Sequence, residues 1–211
     1  DNDGNQDLFV ARFGPSALLR NNGDGTFDDI SHKSEMPQNR NTVAVVAMDY
    51  DRDGDLDLYL GNYFPDVDLT AVKTTKLLHD SWESARNGGT NSLLRNEGDC
   101  KFVDETKSAG LGDTGWTLAI GTGDLDKNGW VDLYMANDFG PDKMYRNNGD
   151  GTFTDQADTS AILDTDQGRG IVCDDFDNDG DVDVLLLTAE PTDAAIHWEN
   201  QLANFNYLKV N

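Results

Sequence analysis

The sequence predicts an all-β chain assembled from repeated units of four short strands. Three observations lead there: an acidic nine-residue loop that recurs in register, a glycine-rich hairpin that recurs behind each loop, and a step of about 50 residues between copies. A four-stranded unit of that size suits radial repetition, which leaves few exposed sheet edges, so the expected architecture is a β-propeller. Four blades or partial blades are expected in the 211 residues.

The acidic loops come first in the argument. Complete copies read Asp49-Tyr-Asp51-Arg-Asp53-Gly54-Asp55-Leu-Asp57, Asp124-Leu-Asp126-Lys-Asn128-Gly129-Trp130-Val-Asp132 and Asp175-Phe-Asp177-Asn-Asp179-Gly180-Asp181-Val-Asp183. A fourth, Asp1-Asn-Asp3-Gly4-Asn5-Gln-Asp7, starts at the third position of the loop. Side-chain oxygens at positions 1, 3, 5 and 9 and a backbone carbonyl at 7 can wrap one hard cation, and glycine at 6 permits the sharp turn between them. Calcium fits this oxygen-rich set better than magnesium, which demands a strict octahedron and keeps its waters. Without a cation the carboxylates would repel one another strongly. About four calcium sites are therefore expected.

Each loop runs into a strand. Leu56-Asp-Leu-Tyr-Leu60, Val131-Asp-Leu-Tyr-Met135 and Val182-Asp-Val-Leu-Leu-Leu187 have strand period and composition. Position 12 is Leu60, Met135 or Leu186, where a helical EF-hand needs a bidentate Glu, so helical calcium sensors are disfavoured. The nonapeptides of repeat-in-toxin β-helices are absent as well.

The hairpins follow. Leu18-Leu-Arg20-Asn21-Asn-Gly23-Asp-Gly25-Thr-Phe27, Leu93-Leu-Arg95-Asn96-Glu-Gly98-Asp-Cys100-Lys-Phe102 and Met144-Tyr-Arg146-Asn147-Asn-Gly149-Asp-Gly151-Thr-Phe153 read as strand, tight turn, strand. Apolar stretches from Val43 to Met48, Trp116 to Ile120 and Ile171 to Cys173 lead into the next acidic loop. Corresponding aspartates at 1, 51, 126 and 177 give steps of 50, 75 and 51 residues, which sets repeats near 1–48, 49–123, 124–174 and 175–211.

The long step holds an insertion, residues 63–90. In its run from Thr74 to Gly89, Leu77, Leu78, Ser81, Trp82 and Ala85 fall on one helical face ahead of a glycine stop, which predicts a short helix. Two readings of this helix stand: it packs Trp82 onto its own blade, or it caps a propeller face and meets a ligand or partner.

Composition bounds the function. A formal charge of −24 opposes nucleic acid and anionic membranes as partners, and no basic patch offsets it. Four divalent ions would offset about a third of that charge, so metal is expected to matter for stability. No apolar run approaches the ~18 residues of a membrane span. Cys100 and Cys173 are too few for a disulfide framework and read as free thiols, with a bridge in an oxidising compartment as the alternative. Catalysis finds little support, because His32, His79 and His197 lie in unrelated segments and no nucleophile elbow or zinc helix occurs.

The loops and hairpins resemble FG-GAP or VCBS repeats, the calcium-binding blades also found in integrin α-subunit propellers. Within that group, Gly115-Trp116-Thr-Leu-Ala-Ile-Gly-Thr-Gly-Asp124 and Tyr145-Arg-Asn-Asn-Gly-Asp-Gly-Thr-Phe153 are similar to the ASPIC/UnbV-associated, cartilage-acidic-protein-like proteins. The tail from His197 to Val210 resembles the lead-in to their C-terminal UnbV-type domain. Propellers of this family usually hold about seven blades, so the chain is expected to be part of a longer one.

The resemblance implies side-chain metal ligands at Asp1, Asp3 and Asp7; at Asp49, Asp51, Asp53 and Asp57; at Asp124, Asp126, Asn128 and Asp132; and at Asp175, Asp177, Asp179 and Asp183. Carbonyls of Asn5, Asp55, Trp130 and Asp181 would complete the sites. Calcium in such modules is structural, with dissociation constants of ~0.1 to 1 mM matched to a calcium-rich exterior. The expected protein is thus secreted, periplasmic or cell-surface. Its expected role is a binding or scaffolding module that engages protein or glycan on a propeller face, with the 63–90 insertion as the candidate contact. The alternative is a calcium-dependent carbohydrate-active enzyme, since some polysaccharide lyases resemble such propellers.

Overall fold

The computed structural model describes residues 1–37, 40–69, 77–160, 162, 164, 165, 167–189 and 195–201, together with the backbone of 208–210. Four antiparallel sheets hold nearly all of the regular structure. The first is β1 (Leu8–Val10), β2 (Ala17–Asn21) and β3 (Phe27–Asp29). The second orders β4 (Asn41–Met48), β5 (Asp57–Phe64), β6 (Ser92–Asn96) and β7 (Phe102–Asp104). After the four-residue helix α1 (Thr106–Ala109), the third holds β8 (Thr117–Gly123), β9 (Asp132–Asn137), β10 (Lys143–Asn147) and β11 (Phe153–Asp155). The fourth holds β12 (Gly168–Asp174), β13 (Asp183–Thr188), β14 (Ala195–Glu199) and β15 (Leu208–Val210).

Each of the three complete acidic loops joins the first strand of a sheet to its second, whereas the loop at 1–7 leads into β1. The mouths of the three are closed by the pairs Met48↔Asp57, Gly123↔Asp132 and Asp174↔Asp183. Each of those sheets therefore starts one strand before its loop. The hairpins repeat in identical register, with Asn21↔Phe27, Asn96↔Phe102 and Asn147↔Phe153 paired.

The core lies between sheets rather than within one. Strand alternation sends neighbouring side chains to opposite interfaces, as the period of 2 requires. Along β5, Leu58 and Leu60 join Leu18, Ile30 and Phe102, while Tyr59 joins Met48, Leu93 and Leu133. Along β9, Leu133 and Met135 face the second sheet, whereas Tyr134 and Ala136 pack with Val184, Ile196 and Trp198 of the fourth. Burial on both faces is why these strands read as near-continuous apolar runs. β13 is buried on one face only, and Leu187 on its other face is 47% exposed. First strands neighbour one another, β4 against β8 and β8 against β12.

The expected helix in the insertion is not formed over residues 77–89, and its start at 74–76 lies outside the described residues. The residues placed on one face separate: Ala85 is buried, while Trp82 is 63% and Leu78 62% exposed. Side chains take over the backbone groups that a helix would use. Asn87 accepts from the Asp80 N–H at 3.1 Å and donates to the Leu78 carbonyl at 2.9 Å, and Asp80 accepts from the Arg86 N–H at 3.2 Å. Such local bonds offer Asn, Asp and Ser segments an alternative to helix. Cys100 and Cys173 are free thiols in different sheets. No helix of the described residues is long and apolar enough to cross a membrane.

Candidate metal centres

The ninth residue of each loop closes it. Oδ2 of Asp57, Asp132 and Asp183 accepts the N–H of the loop's second residue, from Tyr50 at 3.2 Å, Leu125 at 2.9 Å and Phe176 at 3.0 Å. Oδ1 accepts the N–H of an asparagine at the end of the third strand or just past it, from Asn96 at 2.8 Å, Asn147 at 2.7 Å and Asn200 at 2.7 Å. Asp7 receives the same bond from Asn21 at 2.9 Å. One carboxylate thus fixes both the loop's start and the hairpin behind it.

The remaining aspartates turn inward because short Asx bonds wind the loop. Asp51 Oδ1 accepts from the Asp53 N–H at 3.3 Å, Asp126 Oδ1 from Asn128 at 3.0 Å and Asp177 Oδ1 from Asp179 at 3.0 Å. The first residue caps the glycine, Asp124 Oδ2 accepting from Gly129 at 2.8 Å and Asp175 Oδ2 from Gly180 at 3.0 Å.

Four groups of candidate ligand atoms result, each within 4.8 Å: Asp49, Asp51 and Asp53; Asp124, Asp126 and Asp132; Asp175, Asp177 and Asp183; and Asp1, Asp7 and Cys100. Of the carboxylates, Asp57 and Asp179 lie in the loops but outside these groups, as does Asp3. Asn128 and Asp179 accept from the backbone N–H of Trp130 and Asp181. Asp3 accepts from Asn5 at 2.7 Å. The side chains of Asp55, Trp130 and Asp181 reach neighbouring loops, while Asn5 Nδ2 donates to Asp3 of its own loop at 3.1 Å.

The electrostatics suit a cation. Asp49 Oδ1 and Asp124 Oδ1 are buried without a hydrogen-bond partner, and a buried carboxylate oxygen left so is costly. Burial first, then the charges of Asp51 and Asp53, pushes the Asp57 carboxyl up to about 7. Asp132 is likewise pushed up to about 7 by burial first, with Asp126 and Asp124 adding to it. A dication beside these groups would reverse both effects, and the donor set, hard oxygens from several carboxylates, fits calcium. Arg146 pairs with Asp126 and would compete with a cation for that carboxylate.

The asparagines at 21, 96, 147 and 200 were not among the expected site residues. Three of them carry a signal, since Arg-Asn recurs at 20–21, 95–96 and 146–147 at the strand end ahead of each turn, whereas Asn200 follows Glu199.

A second cluster lies at the opposite end of the sheets. Phe13, Phe64, Tyr63, Trp116, His79, Phe139 and Trp82 form a continuous set of ring contacts, with centroids 3.8 to 5.9 Å apart along the chain of neighbours. The insertion lies across the third sheet: His79 stacks on Phe139, and the Trp82 carbonyl accepts the Gly140 N–H at 3.0 Å. Asp138 is buried beneath, held by the Tyr63 hydroxyl and by Arg169.

The profile of the FG-GAP-like repeat family matches residues 1–60 and 124–186. Cartilage acidic protein 1 of Xenopus tropicalis is 37% identical over 67 residues, 31% of this chain and 10% of that protein. The Homo sapiens protein of that name is 32% identical over 83 residues, 39% and 13% of the two chains. The Mus musculus one is 27% identical over 144 residues, 67% and 20%. The chain thus spans a fifth or less of the length of these curated relatives.

Proposed function

The chain belongs to the FG-GAP-like repeat family, and from that premise we propose that it is a calcium-stabilised, extracellular β-propeller segment that binds a protein or glycan partner. The propeller reading is supported by sheets that stack face to face with their first strands adjacent, as blades do. Calcium, when bound, would supply the positive charge that the inward aspartates lack. Asp49, Asp51 and Asp53, then Asp124, Asp126 and Asp132, then Asp175, Asp177 and Asp183 would hold it, with Asp57, Asn128, Asp179 and the position-seven carbonyls completing the shells. Asp1 and Asp7 would contribute to a fourth. An acidic chain related to proteins named for cartilage suits a calcium-rich exterior.

The observation that carries the binding role is the aromatic set at the end away from the loops. Its terminal rings, Trp82 at 63% and Phe13 at 55%, are exposed but held in place by neighbours. Large exposed rings on a rigid frame offer contact area at low entropic cost, the usual property of an anchor residue. The test immobilises the wild-type chain and Trp82→Ala and presents a panel of matrix proteins and glycans with calcium. A binder retained by the wild type and lost from Trp82→Ala, at unchanged melting temperature, is expected. A panel with no binder, or one bound equally by both chains, removes the reading.

A further inference from the structure

Side chains tie each acidic loop to the next by the same pair of positions. The fourth residue of one loop reaches the seventh residue of its successor. Asn2 donates to Asp55 Oδ1 at 2.6 Å and to the Gly54 carbonyl at 2.9 Å. The Arg52 guanidinium lies 4.4 Å from the centre of the Trp130 ring. Lys127 pairs with Asp181. All three fourth-position residues share a left-handed backbone, with φ of 59°, 60° and 54°, which aims them out of their own loop.

A second tie runs the other way. Asn147 donates through Nδ2 to the Tyr50 carbonyl at 2.9 Å, and Asn200 to the Leu125 carbonyl at 2.8 Å. Those carbonyls lie between the first and third aspartates of the preceding loop. The same asparagines hold Asp132 and Asp183 of their own loops through their N–H groups.

We propose that these clasps couple neighbouring acidic loops, so that a cation in one loop raises the affinity of the next. The proposal rests on the calcium reading above. A cation in loop 124–132 would fix the Trp130 carbonyl and Asp132. Trp130 and Asn147 are then fixed too, and with them Arg52 and the Tyr50 carbonyl of loop 49–57. That loop has less freedom left to lose when its own cation arrives, which is positive coupling by prior ordering. Coupling is reciprocal, so occupancy of loop 49–57 strengthens loop 124–132 by the same factor.

Terbium, a calcium substitute, luminesces when an adjacent indole is excited. Trp130 lies between the two loops, so the midpoint for loop 124–132 is read from the part of the emission that Asp126→Asn removes. Asp51→Asn disables loop 49–57 and keeps the local bond to the Asp53 N–H. It should weaken terbium at loop 124–132 about five-fold or more, within the usual range of coupling. In an Arg52→Gln background the penalty of Asp51→Asn should shrink at least two-fold, while far-UV circular dichroism is unchanged.

Equal midpoints for wild type and Asp51→Asn overturn the coupling, and a penalty untouched by Arg52→Gln overturns the clasp as its carrier. Should Asp51→Asn unfold, Asp177→Asn in loop 175–183 asks the same question through Lys127→Met, with the same outcomes deciding. Absence of terbium binding in the wild type would instead sink the calcium reading itself.

Discussion

Asn147 stands where two repeats meet, and five hydrogen bonds to or from side chains converge on it, one of them from Asn128 Nδ2 to its carbonyl at 3.1 Å. Its N–H reaches Asp132, its Nδ2 serves the carbonyls of Tyr50 and Val131, and its Oδ1 accepts from the Gly149 N–H at 2.9 Å. The side chain is fully buried, so Asn147→Ala strands two carbonyls away from water. Each stranded group costs about 1–3 kcal/mol. The variant should lose about 2–4 kcal/mol in urea unfolding, while Asn148→Ala, next to it on the exposed turn, should lose under about 0.5 kcal/mol. Equal losses would show that burial does not set the effect. Asp57 and Asp132 give a pH signature. Their folded carboxyls titrate near 7 without a cation, against an ordinary 3.8. A raised folded value means that the folded chain holds the extra proton, so this stabilisation is complete below pH ~4 and is lost as pH rises through about 7. The decalcified chain should therefore melt lower at about pH 7.5 than at about pH 5. Excess calcium, which favours the ionised carboxylates, should flatten or reverse that slope.

At the scale of the element, the strands and loops were legible because their signals are local. Alternation along β5 and β9 and the Asp-x-Asp pattern are short-range properties, and they survive into the structure unchanged. The insertion was misread because helical spacing was the only pattern weighed there. Asn87 and Asp80 bind backbone across 7 and 6 residues, and periodicity is blind to such bonds. The inter-repeat role of Asn147 and Asn200 was hidden for another reason: their partners lie 97 and 75 residues away. Gly140 is one anchor of the insertion, beside Thr114 and Trp116, which donate to the Arg86 carbonyl and to Asn87; at φ +86°, a Cβ there would stand 2.6 Å from the Ala85 carbonyl. Gly140→Ala combines a left-handed backbone, itself costing about 1–2 kcal/mol, with that clash. It should release residues 77–87 from the third sheet. Limited proteolysis is expected to cut there first, with the melting of the sheets little changed; uniform resistance would place the anchor elsewhere.

For the whole molecule, three inter-sheet cores and the ties between loops decide whether four sheets unfold as one. Among the described residues the sheets pack in series on their neighbours, so stability is close to a sum of sheet and interface contributions, and cooperativity depends on the interfaces. Apolar packing supplies part of each interface. The loop ends supply another part, and there a net charge of −24 works against closure. With calcium in the loops, the loop ends of each interface are held by the ties of Asn147, Asn200, Arg52 and Lys127. Without it the carboxylates repel and the ties slacken, while the apolar layers remain. Calorimetry should then show a single transition in calcium, with van't Hoff and calorimetric enthalpies equal. The stripped chain should melt lower and more broadly, its van't Hoff enthalpy falling below the calorimetric one as sheets separate. Added sodium chloride should raise the melting temperature of the stripped chain more than that of the loaded one, because salt screens exposed like charges beyond about 10 Å. If stripping lowered the midpoint but left the two enthalpies equal, the apolar layers alone would carry the cooperativity, and the loop ties would be local fastenings.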